Sequence, residues 1–458
     1  MRAMRVGVTP GGRVGGALPV PGDKSIAHRW LIAAATGRGV SRLAGLPRSL
    51  DTRSTATCLA RLSGVAGPAL EAWASSPVVA DERNGSTWNR EASTLDVLNV
   101  EGEGRSGLSP ATSALDCGNS GTTIRLLAGI AAGAPFTTVL SGDPSLARRP
   151  MERVARPLRE MGAEVQTDAG RPPLTITGSE LVGIAFEADV PSAQVKSAVL
   201  LAALAAEGTT SVREPVRTRD HTERLLEALG APLRREDHRT ELDGPFETGP
   251  IDGQVPGDPS AAAFLVGAAA LTGAPLEIER VGLNPSRLAW VDVLSRMGIV
   301  TTAMTDGEEV GEPVGRLSAA PASAIRPVRV PPDELPLVID EVPLLAALAV
   351  HAGGESRFEG GAELRVKESD RLTALVEGIR GLGGEAGVEG DDLVVGGGGL
   401  RGGAAGSAAD HRIAMALVVA ALAAEAPCEV EGVEVADVSF PGFVPLLRTA
   451  GADLEERT

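Results

Sequence analysis

Six stretches of the chain share one pattern, in which a small or polar opening is followed by about three turns of apolar residues. Apolar residues occupy nearly every position of these turns, which predicts helices that are buried on all sides. Most stretches then reach Gly or other small residues and a short run typical of a strand. The six opening residues, each of a type that caps helices well, are Asp23, Asn119, Ser192, Asp258, Asp340 and Asp410.

A second helical pattern follows each of these units, and four of these second helices run into Met-Gly or Leu-Gly near their end, a common C-cap. The second helices are predicted at residues 51–62, 152–161, 222–229, 288–297, 370–382 and 443–450. Short runs such as 174–177 and 276–281 predict strands. Six strand–helix units around buried helices predict an α/β fold with three units in each of two domains, and the length of 458 residues also favours two domains.

The domain boundaries are predicted to divide the chain into residues 1–22 plus 257–458 and residues 23–256. The number of residues between successive helix openings is irregular mainly between the first opening, Asp23, and the second, Asn119. There, residues 64–113 are rich in Gly, Ala, Ser, Glu and Arg. We interpret this segment as a low-complexity, partly disordered insertion without catalytic residues.

The composition favours a cytoplasmic protein without a nucleic-acid or membrane partner. Cys58, Cys117 and Cys428 are too widely separated for a disulfide framework or a zinc site. No apolar run has the length of a signal-peptide core or a membrane helix, and the longest candidate, 198–206, is too short. The net charge of −17 disfavours general binding to nucleic acid or anionic membranes, although local cations can still bind small anions.

Cations are concentrated at the predicted helix openings, where free backbone N–H groups already favour anions. Only three of the 43 basic residues are lysines, and this bias suggests that they serve chemistry requiring a compact ammonium group. If several such openings converge, the protein has a site for more than one phosphate or carboxylate. The polar residues at these openings include Lys24, Ser25, Arg29, Asn119, Thr122, Arg125, Ser192, Gln194, Lys196, His411 and Arg412, and Arg148-Arg149 and Lys367–Arg371 form two further clusters.

Nine ordered strings that span almost the whole chain outside 64–113 resemble the EPSP synthase (3-phosphoshikimate 1-carboxyvinyltransferase) family of enolpyruvyl transferases. They read PGDKSIAHR, CGNSGTTIR, ARRPM, PSAQVKSAVLLAAL, TRDHTERLL, IDEVPLLA, LRVKESDRL, DHRIAMA and SFPGF. The resemblance implies two domains of three βαβαββ units each, with phosphoenolpyruvate and shikimate 3-phosphate bound between them. It also implies that the enzyme needs no metal or organic cofactor and is commonly a monomer.

The resemblance also assigns site residues. It places shikimate 3-phosphate at Lys24, Ser25, Arg29, Ser192, Ala193, Gln194, Arg219, Asp340 and Lys367. It places phosphoenolpyruvate at Lys24, Asn119, Gly121, Thr122, Arg125, Arg149, Gln194, Arg371 and Arg412. Proton transfer is assigned to Asp340, Lys367 and Glu368, and Lys24 is a further shuttle that stabilises leaving phosphate. A carboxylate can accept the 5-hydroxyl proton (Asp340) and a carboxylic acid can protonate the methylene carbon (Glu368), but the sequence leaves open which group moves which proton.

Several residues keep two interpretations. For Lys196, a structural role with the ammonium reaching solvent and a ligand contact are equally favoured, and His411 is either a ligand contact or a satisfied core histidine. Asp410 is interpreted as an N-cap, and the Asp258 unit as architectural because its opening lacks cations. Ser439 stands where some family members carry Lys, and the chain has no Tyr. Gly121 leaves room that a methyl group would fill, so we expect inhibition by glyphosate.

Three other functions compete with this one. The sister transferase that acts on UDP-N-acetylglucosamine normally has Lys-Asn in its first motif and a Cys in a mobile loop, whereas here Ser25 follows Lys24 and no Cys lies near Arg149. RNA 3′-phosphate cyclase would need a histidine motif that the chain lacks. A scaffold that binds a phosphorylated ligand without turnover is disfavoured by Asp340 and the Lys367–Arg371 cluster.

Overall fold

Every helix predicted from the sequence pattern is present in the computed structural model, which describes residues 4–76 and 97–457. The α-helices of this part of the chain are α1 Lys24–Thr36, α2 Leu50–Leu62, α3 Gly67–Ser75, α4 Gly121–Ala132, α5 Glu152–Glu160, α6 Ala193–Ala203, α7 His221–Ala228, α8 Pro259–Thr272, α9 Ala289–Arg296, α10 Leu335–Val338, α11 Val342–Ala349, α12 Arg371–Gly381, α13 His411–Ala421 and α14 Phe443–Thr449.

The strands between them are short and mostly form hairpins or flank a helix. They are β1 Arg5–Thr9, β2 Gly16–Ala17, β3 Arg38–Ala44, β4 Leu98–Glu103, β5 Leu115–Asp116, β6 Thr137–Ser141, β7 Glu164–Asp168, β8 Arg171–Thr177, β9 Leu181–Val182, β10 Ala185–Glu187, β11 Ala206–Arg213, β12 Leu233–Glu236, β13 Arg239–Gly244, β14 Asp252–Gln254, β15 Leu276–Gly282, β16 Thr301–Glu309, β17 Glu312–Ala319, β18 Arg329–Val330, β19 Ser356–Phe358, β20 Glu385–Glu389, β21 Asp392–Gly396, β22 Gly403–Gly406, β23 Cys428–Glu431 and β24 Asp453–Arg457.

The described residues form six sheets that repeat one arrangement. Each begins with a parallel strand pair and continues with antiparallel strands, as in the orders β5-β6-β8-β7 and β18-β19-β21-β20. A buried helix makes the parallel crossover, for example α4 between β5 and β6. The repeated unit is therefore βαβαββ, and the predicted α/β fold is confirmed.

Two units exchange their first strands. β2 pairs in parallel with β15, and β14 pairs in parallel with β3, although β3 follows β2 in the chain. The chain therefore crosses twice between two halves of the molecule, through the Val-Pro-Gly segments at residues 20–22 and 255–257. These segments are joined by reciprocal backbone hydrogen bonds, from Asp23 N–H to Pro256 O at 2.7 Å and from Asp258 N–H to Pro21 O at 2.8 Å.

Within residues 4–76 and 97–457, the buried hydrophobic residues form two clusters on either side of these crossings. One cluster is drawn from residues 6–18 and 261–454, and the other from residues 26–255. Alanine, leucine and valine dominate both, because apolar helices such as α8 are surrounded by other elements and need small side chains on every face. None of the helices in residues 4–76 and 97–457 is long and apolar enough to span a membrane.

Helix starts follow the predicted caps at four of the six openings, where Asp23, Ser192, Asp258 and Asp410 each accept a backbone N–H of the first turn. The cap prediction was wrong at Asn119, and Asp340, for which a catalytic role is favoured over capping, is not a cap. Ser120, not Asn119, caps α4, and α11 begins after Glu341 without a side-chain cap. Both openings contain two adjacent polar residues, and the one further from the helix is left for other contacts.

The segment 64–113 is more regular than its composition indicates. Within it, α3 begins at Gly67 with a proline in its first turn, and β4 pairs antiparallel with β3 from Leu98 to Glu103. Alternate residues of β4 are buried, so this strand is part of the core. Residues 77–96 of the expected insertion lie outside the described residues.

Candidate active site

Asp340 lies in the short link between α10 and α11, where four cations surround its carboxylate. Arg219 Nη2 is 2.7 Å from Oδ2, and Arg412 Nη2 is 3.8 Å from the same oxygen. Arg371 Nη1 and Lys367 Nζ lie 3.5 and 3.9 Å from Oδ1. Since Asp340 does not cap α11, its carboxylate is available to these groups and to a ligand.

Glu368 forms a second acidic centre beside the first. It accepts a short hydrogen bond from Arg371 Nη2, and Arg149 Nη1 lies 4.0 Å from its Oε1. Arg371 is almost fully buried and also donates from Nε to Asp410 Oδ2 at 2.8 Å. Asp410 is therefore the N-cap predicted for α13 and, in addition, the residue that orients Arg371.

The charge state of this centre follows from burial opposed by the surrounding cations. Burial by itself favours the neutral acid of Asp340, but Arg219, Arg412, Lys367 and Arg371 hold its pKa well below the ordinary value. Glu368 behaves alike: burial opposes ionisation, and cations led by Arg371 hold its pKa well below the ordinary value. Both side chains are therefore carboxylates at neutral pH.

Lys367 is shifted in the opposite sense. Burial lowers its pKa from 10.5 and outweighs the attraction of Asp340 and Glu368, and Arg371 lowers the pKa further. An ammonium group with a lowered pKa gives up its proton more readily than an ordinary lysine.

The openings of α4 and α6 are joined through one amide side chain. Arg125 Nη1 donates to Gly121 O at 3.0 Å and to Gln194 Oε1 at 2.8 Å. Gln194 Nε2 donates to Thr122 Oγ1 at 2.9 Å. Arg149 faces the same turn and donates to Asn119 Oδ1. The two predicted anion-binding turns therefore lie side by side.

The opening of α1 carries Lys24, whose Nζ lies 3.0 Å from Asp51 Oδ2. Arg29 is buried one turn later, where it donates to Ser25 O at 2.7 Å, Thr222 Oγ1 at 2.6 Å and Ser197 Oγ at 2.7 Å. All three guanidinium nitrogens thus donate to protein atoms, so Arg29 stabilises the α1 turn by hydrogen bonds within the protein. Ser192 caps α6, and Ala193 O accepts a hydrogen bond from the Ser197 hydroxyl.

Contacts across the two halves bring these groups into one region. Arg219 meets Asp340, Arg149 faces Glu368, and Ser145 Oγ donates to Glu368 O at 3.0 Å. Lys24 is close enough to contribute to lowering the pKa of Glu368. These contacts place the assigned cations of both halves around the carboxylates of Asp340 and Glu368.

The open interpretations of Lys196 and His411 can now be compared with their surroundings. Lys196 neither reaches solvent nor faces the cluster: it is buried, with Nζ 2.6 Å from Glu214 Oε2 and 2.7 Å from Glu223 Oε1. His411 is buried beside Lys24 and Glu368, and its Nε2 has no hydrogen-bond partner, so it is not a satisfied core histidine. Burial, then Lys24, holds the pKa of His411 well below 6.5, and the ring is neutral.

Sequence reasoning missed three acidic partners of the assigned cations. Asp51 pairs with Lys24, Glu341 lies 3.8 Å from Arg412, and Asp410 orients Arg371. Glu341 directly follows Asp340 in the IDEVPLLA string, so its position gave a signal, whereas Asp51 stands 27 residues from Lys24. No group of three or more His, Cys, Asp or Glu side chains in the described ranges has the arrangement of a metal site.

Comparison with known proteins identifies the family. A family model for EPSP synthase (3-phosphoshikimate 1-carboxyvinyltransferase) matches residues 8–77 and 83–447. The 3-phosphoshikimate 1-carboxyvinyltransferase of Halorhodospira halophila is 45% identical over 452 residues, which cover 98% of this chain and 96% of the relative. That of Methylococcus capsulatus is 43% identical over 97% of both chains. The solved structure of EPSP synthase from Acinetobacter baumannii matches with a TM-score of 0.82 at 36% identity, covering 99% of this chain and 100% of the other. The chain therefore belongs to the EPSP synthase family.

Proposed function

We infer that the chain transfers the enolpyruvyl group of phosphoenolpyruvate to the 5-hydroxyl of shikimate 3-phosphate and releases phosphate, in the pathway to chorismate and aromatic amino acids. The observation that carries the chemistry is Asp340, an ionised carboxylate held among four cations where the two halves meet. Such a site offers a proton acceptor to a hydroxyl group and cations to two anionic reactants.

The assigned residues have the following roles in the reaction. Asp340 accepts the proton of the 5-hydroxyl, and the oxygen then bonds to C2 of phosphoenolpyruvate as the methylene carbon gains a proton. The tetrahedral intermediate loses phosphate and a methyl proton to give the enolpyruvyl ether. Lys24, Arg125, Arg149, Arg371 and Arg412 balance the charge of the phosphate and carboxylate groups.

The charge states of Glu368 and Lys367 indicate which group protonates the methylene carbon of phosphoenolpyruvate. Glu368 is ionised by Arg371 and Arg149, the same arginines assigned to phosphoenolpyruvate. An anionic substrate that engages these arginines would raise the pKa of Glu368 and let it carry a proton. Lys367, with its lowered pKa, lies 3.9 Å from Asp340, is also attracted by Glu368, and is the group that we propose to relay that proton.

The relay makes the activity depend on pH. The Lys367 ammonium is intact below its lowered pKa and loses its proton as the pH rises, so kcat/KM should decline on the alkaline side at a pH below 10.5. No tyrosine contributes to this limb, since the chain has none. The measurement is the pH profile of kcat/KM for the wild type and for Lys367→Arg, which stays charged. An alkaline limb at the same pH in both proteins would show that another group titrates.

Gly121 lets two arginines approach the first turn of α4. A Cβ at this position would lie 2.6 Å from Arg125 Nη1 and 2.9 Å from Arg149 Nη1, so both guanidinium groups must move. Since a hydrogen bond to a charged group contributes about 1.5–3 kcal/mol, Gly121→Ala should raise KM for phosphoenolpyruvate by about tenfold or more and weaken glyphosate inhibition. KM for shikimate 3-phosphate should change less.

Steady-state kinetics with each substrate varied in turn measure this effect. Gly406→Ala is the matched control, because nothing lies within 4 Å of the added Cβ there. An unchanged KM for phosphoenolpyruvate in Gly121→Ala would mean that Arg125 and Arg149 do not bind it. Inhibition of the wild type only at millimolar glyphosate would contradict the expectation that Gly121 leaves room for the inhibitor.

The assay that tests the proposed function is phosphate release from phosphoenolpyruvate with shikimate 3-phosphate, repeated with UDP-N-acetylglucosamine. We expect release with the first acceptor alone. Release with the second acceptor alone would indicate the sister reaction, and no release with either, despite binding of both substrates, would indicate a non-catalytic binding protein.

We also propose that the two hydrophobic clusters are the cores of two domains, residues 1–22 plus 257–458 and residues 23–256, and that the enzyme works as a cytoplasmic monomer. The clusters and the two crossing segments support the boundaries. Three buried free cysteines, all described, support a reducing compartment. Sedimentation at micromolar concentration would test the monomeric state.

A further inference from the structure

Arg287 is a buried arginine outside the cluster that the function uses, and it lies where the chain crosses between the two halves. It follows β15 in a single 3₁₀ turn, and its side chain is 1% exposed. Nη1 lies 2.5 Å from Asp23 Oδ2, and Nη2 lies 3.0 Å from Asp258 Oδ1. One guanidinium group therefore holds the N-caps of α1 and α8, which belong to different hydrophobic clusters.

His221, the first residue of α7, extends this contact. Arg287 Nη1 lies 3.2 Å from His221 Nε2, and since an arginine can only donate, Nε2 must accept. With Nε2 accepting, Nδ1 is the nitrogen that donates, to Glu312 Oε1 at 2.7 Å. Glu312 opens β17 at the tip of the β16–β17 hairpin, and Gly311 O in the same tip accepts from Arg224 of α7 at 3.1 Å. The hairpin of one half is thus bound to a helix of the other.

The same arginine is connected to both sides of the active site. On one side, Asp23 accepts the N–H groups of Ser25 and Ile26 and so fixes the turn that carries Lys24. On the other, Arg287 Nη2 donates to Ser260 Oγ at 2.9 Å, and Ser260 donates to Glu341, which adjoins Asp340 and lies 3.8 Å from Arg412. Two or three non-covalent contacts therefore connect Arg287 to the α1 turn of one half and to Arg412 of the other.

We propose that Arg287 is a positioning residue, which fixes the angle between the two halves so that the α1 turn faces Asp340 and Arg412. A lysine could not replace it, because one ammonium group cannot reach both aspartates in the fork geometry of a guanidinium. We call the contacts of Arg287 with Asp23, Asp258 and His221 the joint. The kinetic consequences of this inference depend on the proposed function, whereas the joint itself does not.

Loss of the joint lowers the fraction of molecules in which the two halves are aligned. The apparent dissociation constant of a ligand that needs both halves rises by the inverse of that fraction. Phosphoenolpyruvate, assigned to Arg125 and Arg149 on one side and to Arg371 and Arg412 on the other, is such a ligand. Shikimate 3-phosphate lies mainly against the openings of α1 and α6, and its binding should be affected less.

The experiment compares Arg287→Lys with the wild type in steady-state kinetics, thermal unfolding and small-angle X-ray scattering. We expect KM for phosphoenolpyruvate to rise by about tenfold, with a smaller change in kcat, at temperatures where the variant is fully folded. The radius of gyration of the free variant should exceed that of the wild type and return toward it with both substrates. Arg448→Gln is the control, since Arg448 lies on α14 in the same half, is exposed and pairs with Glu456 of β24.

A lower unfolding temperature with unchanged KM values and radius of gyration would overturn the proposal, because it would show a purely structural role. If Arg287→Lys does not fold, His221→Leu removes one acceptor and leaves both aspartates, and KM for phosphoenolpyruvate should still rise, by about threefold. An unchanged KM in that variant would also overturn it. If the wild type releases no phosphate, the proposed function fails, and scattering of the free proteins still tests the joint.

Discussion

Asp340→Asn is expected to lower kcat by about 10³-fold while affinity for shikimate 3-phosphate stays near that of the wild type, because a general base contributes about 10²–10⁴-fold. The asparagine has the same shape and keeps an oxygen for Arg219, which lies 2.7 Å from Oδ2. It cannot accept the 5-hydroxyl proton, and it leaves the surrounding cations without their shared negative charge. The measurements are single-turnover rates and equilibrium binding of shikimate 3-phosphate.

Asp306→Asn is a suitable control, because Asp306 is an exposed carboxylate that pairs with Arg316, which is not a site residue. Its kcat should match that of the wild type. Turnover of Asp340→Asn close to the wild-type rate would exclude Asp340 as the base. A large loss of affinity for shikimate 3-phosphate with kcat intact would instead make Asp340 a binding residue.

Lys196→Met should lower the free energy of unfolding by about 3–5 kcal/mol, the usual cost of leaving a buried charge without its partner. The Lys196 ammonium is the shared partner of Glu214 and Glu223, and all three side chains are at most 5% exposed. Burial raises the pKa of Glu223 even with the lysine present. Denaturant unfolding followed by circular dichroism measures the change.

The matched variant replaces all three charges, as Lys196→Met, Glu214→Gln and Glu223→Gln. Removing the whole set should recover much of the stability, because no isolated charge is left in the interior. If the single substitution costs less than about 1 kcal/mol, water or a rearranged partner must compensate the two carboxylates. Full loss of stability in the triple variant would mean that packing of the lysine stem, not charge, is decisive.

The sequence predicted the helices well because their apolar residues recur at every position, a pattern that few other structures produce. It also predicted which turns carry cations, since Lys24, Arg125 and Arg412 each stand within a few residues of a recognisable cap. Strand order could not be read from local pattern. The exchange of β2 and β14 between units depends on pairing between residues more than 200 positions apart.

The partners of the charged residues were the hardest part to predict. A single buried lysine between two glutamates has the same local sequence as a lysine whose ammonium reaches solvent, so Lys196 had two open interpretations. Arg287 stands in no motif, and its acidic partners Asp23 and Asp258 are 264 and 29 positions away. For Asp340 the sequence favoured a catalytic role over capping, and only the backbone shows that α11 begins after Glu341 without a side-chain cap.

The pairing of β1 with β23 and β24 has a consequence for the order in which the protein assembles during synthesis. β1 is synthesised before its neighbours in the sheet, which are made more than 400 residues later. Residues 26–255 hold a complete hydrophobic cluster and can collapse meanwhile. The first strand must stay unpaired until the last is available, so this half of the molecule is the one exposed longest to chaperones and to mispairing of its edge.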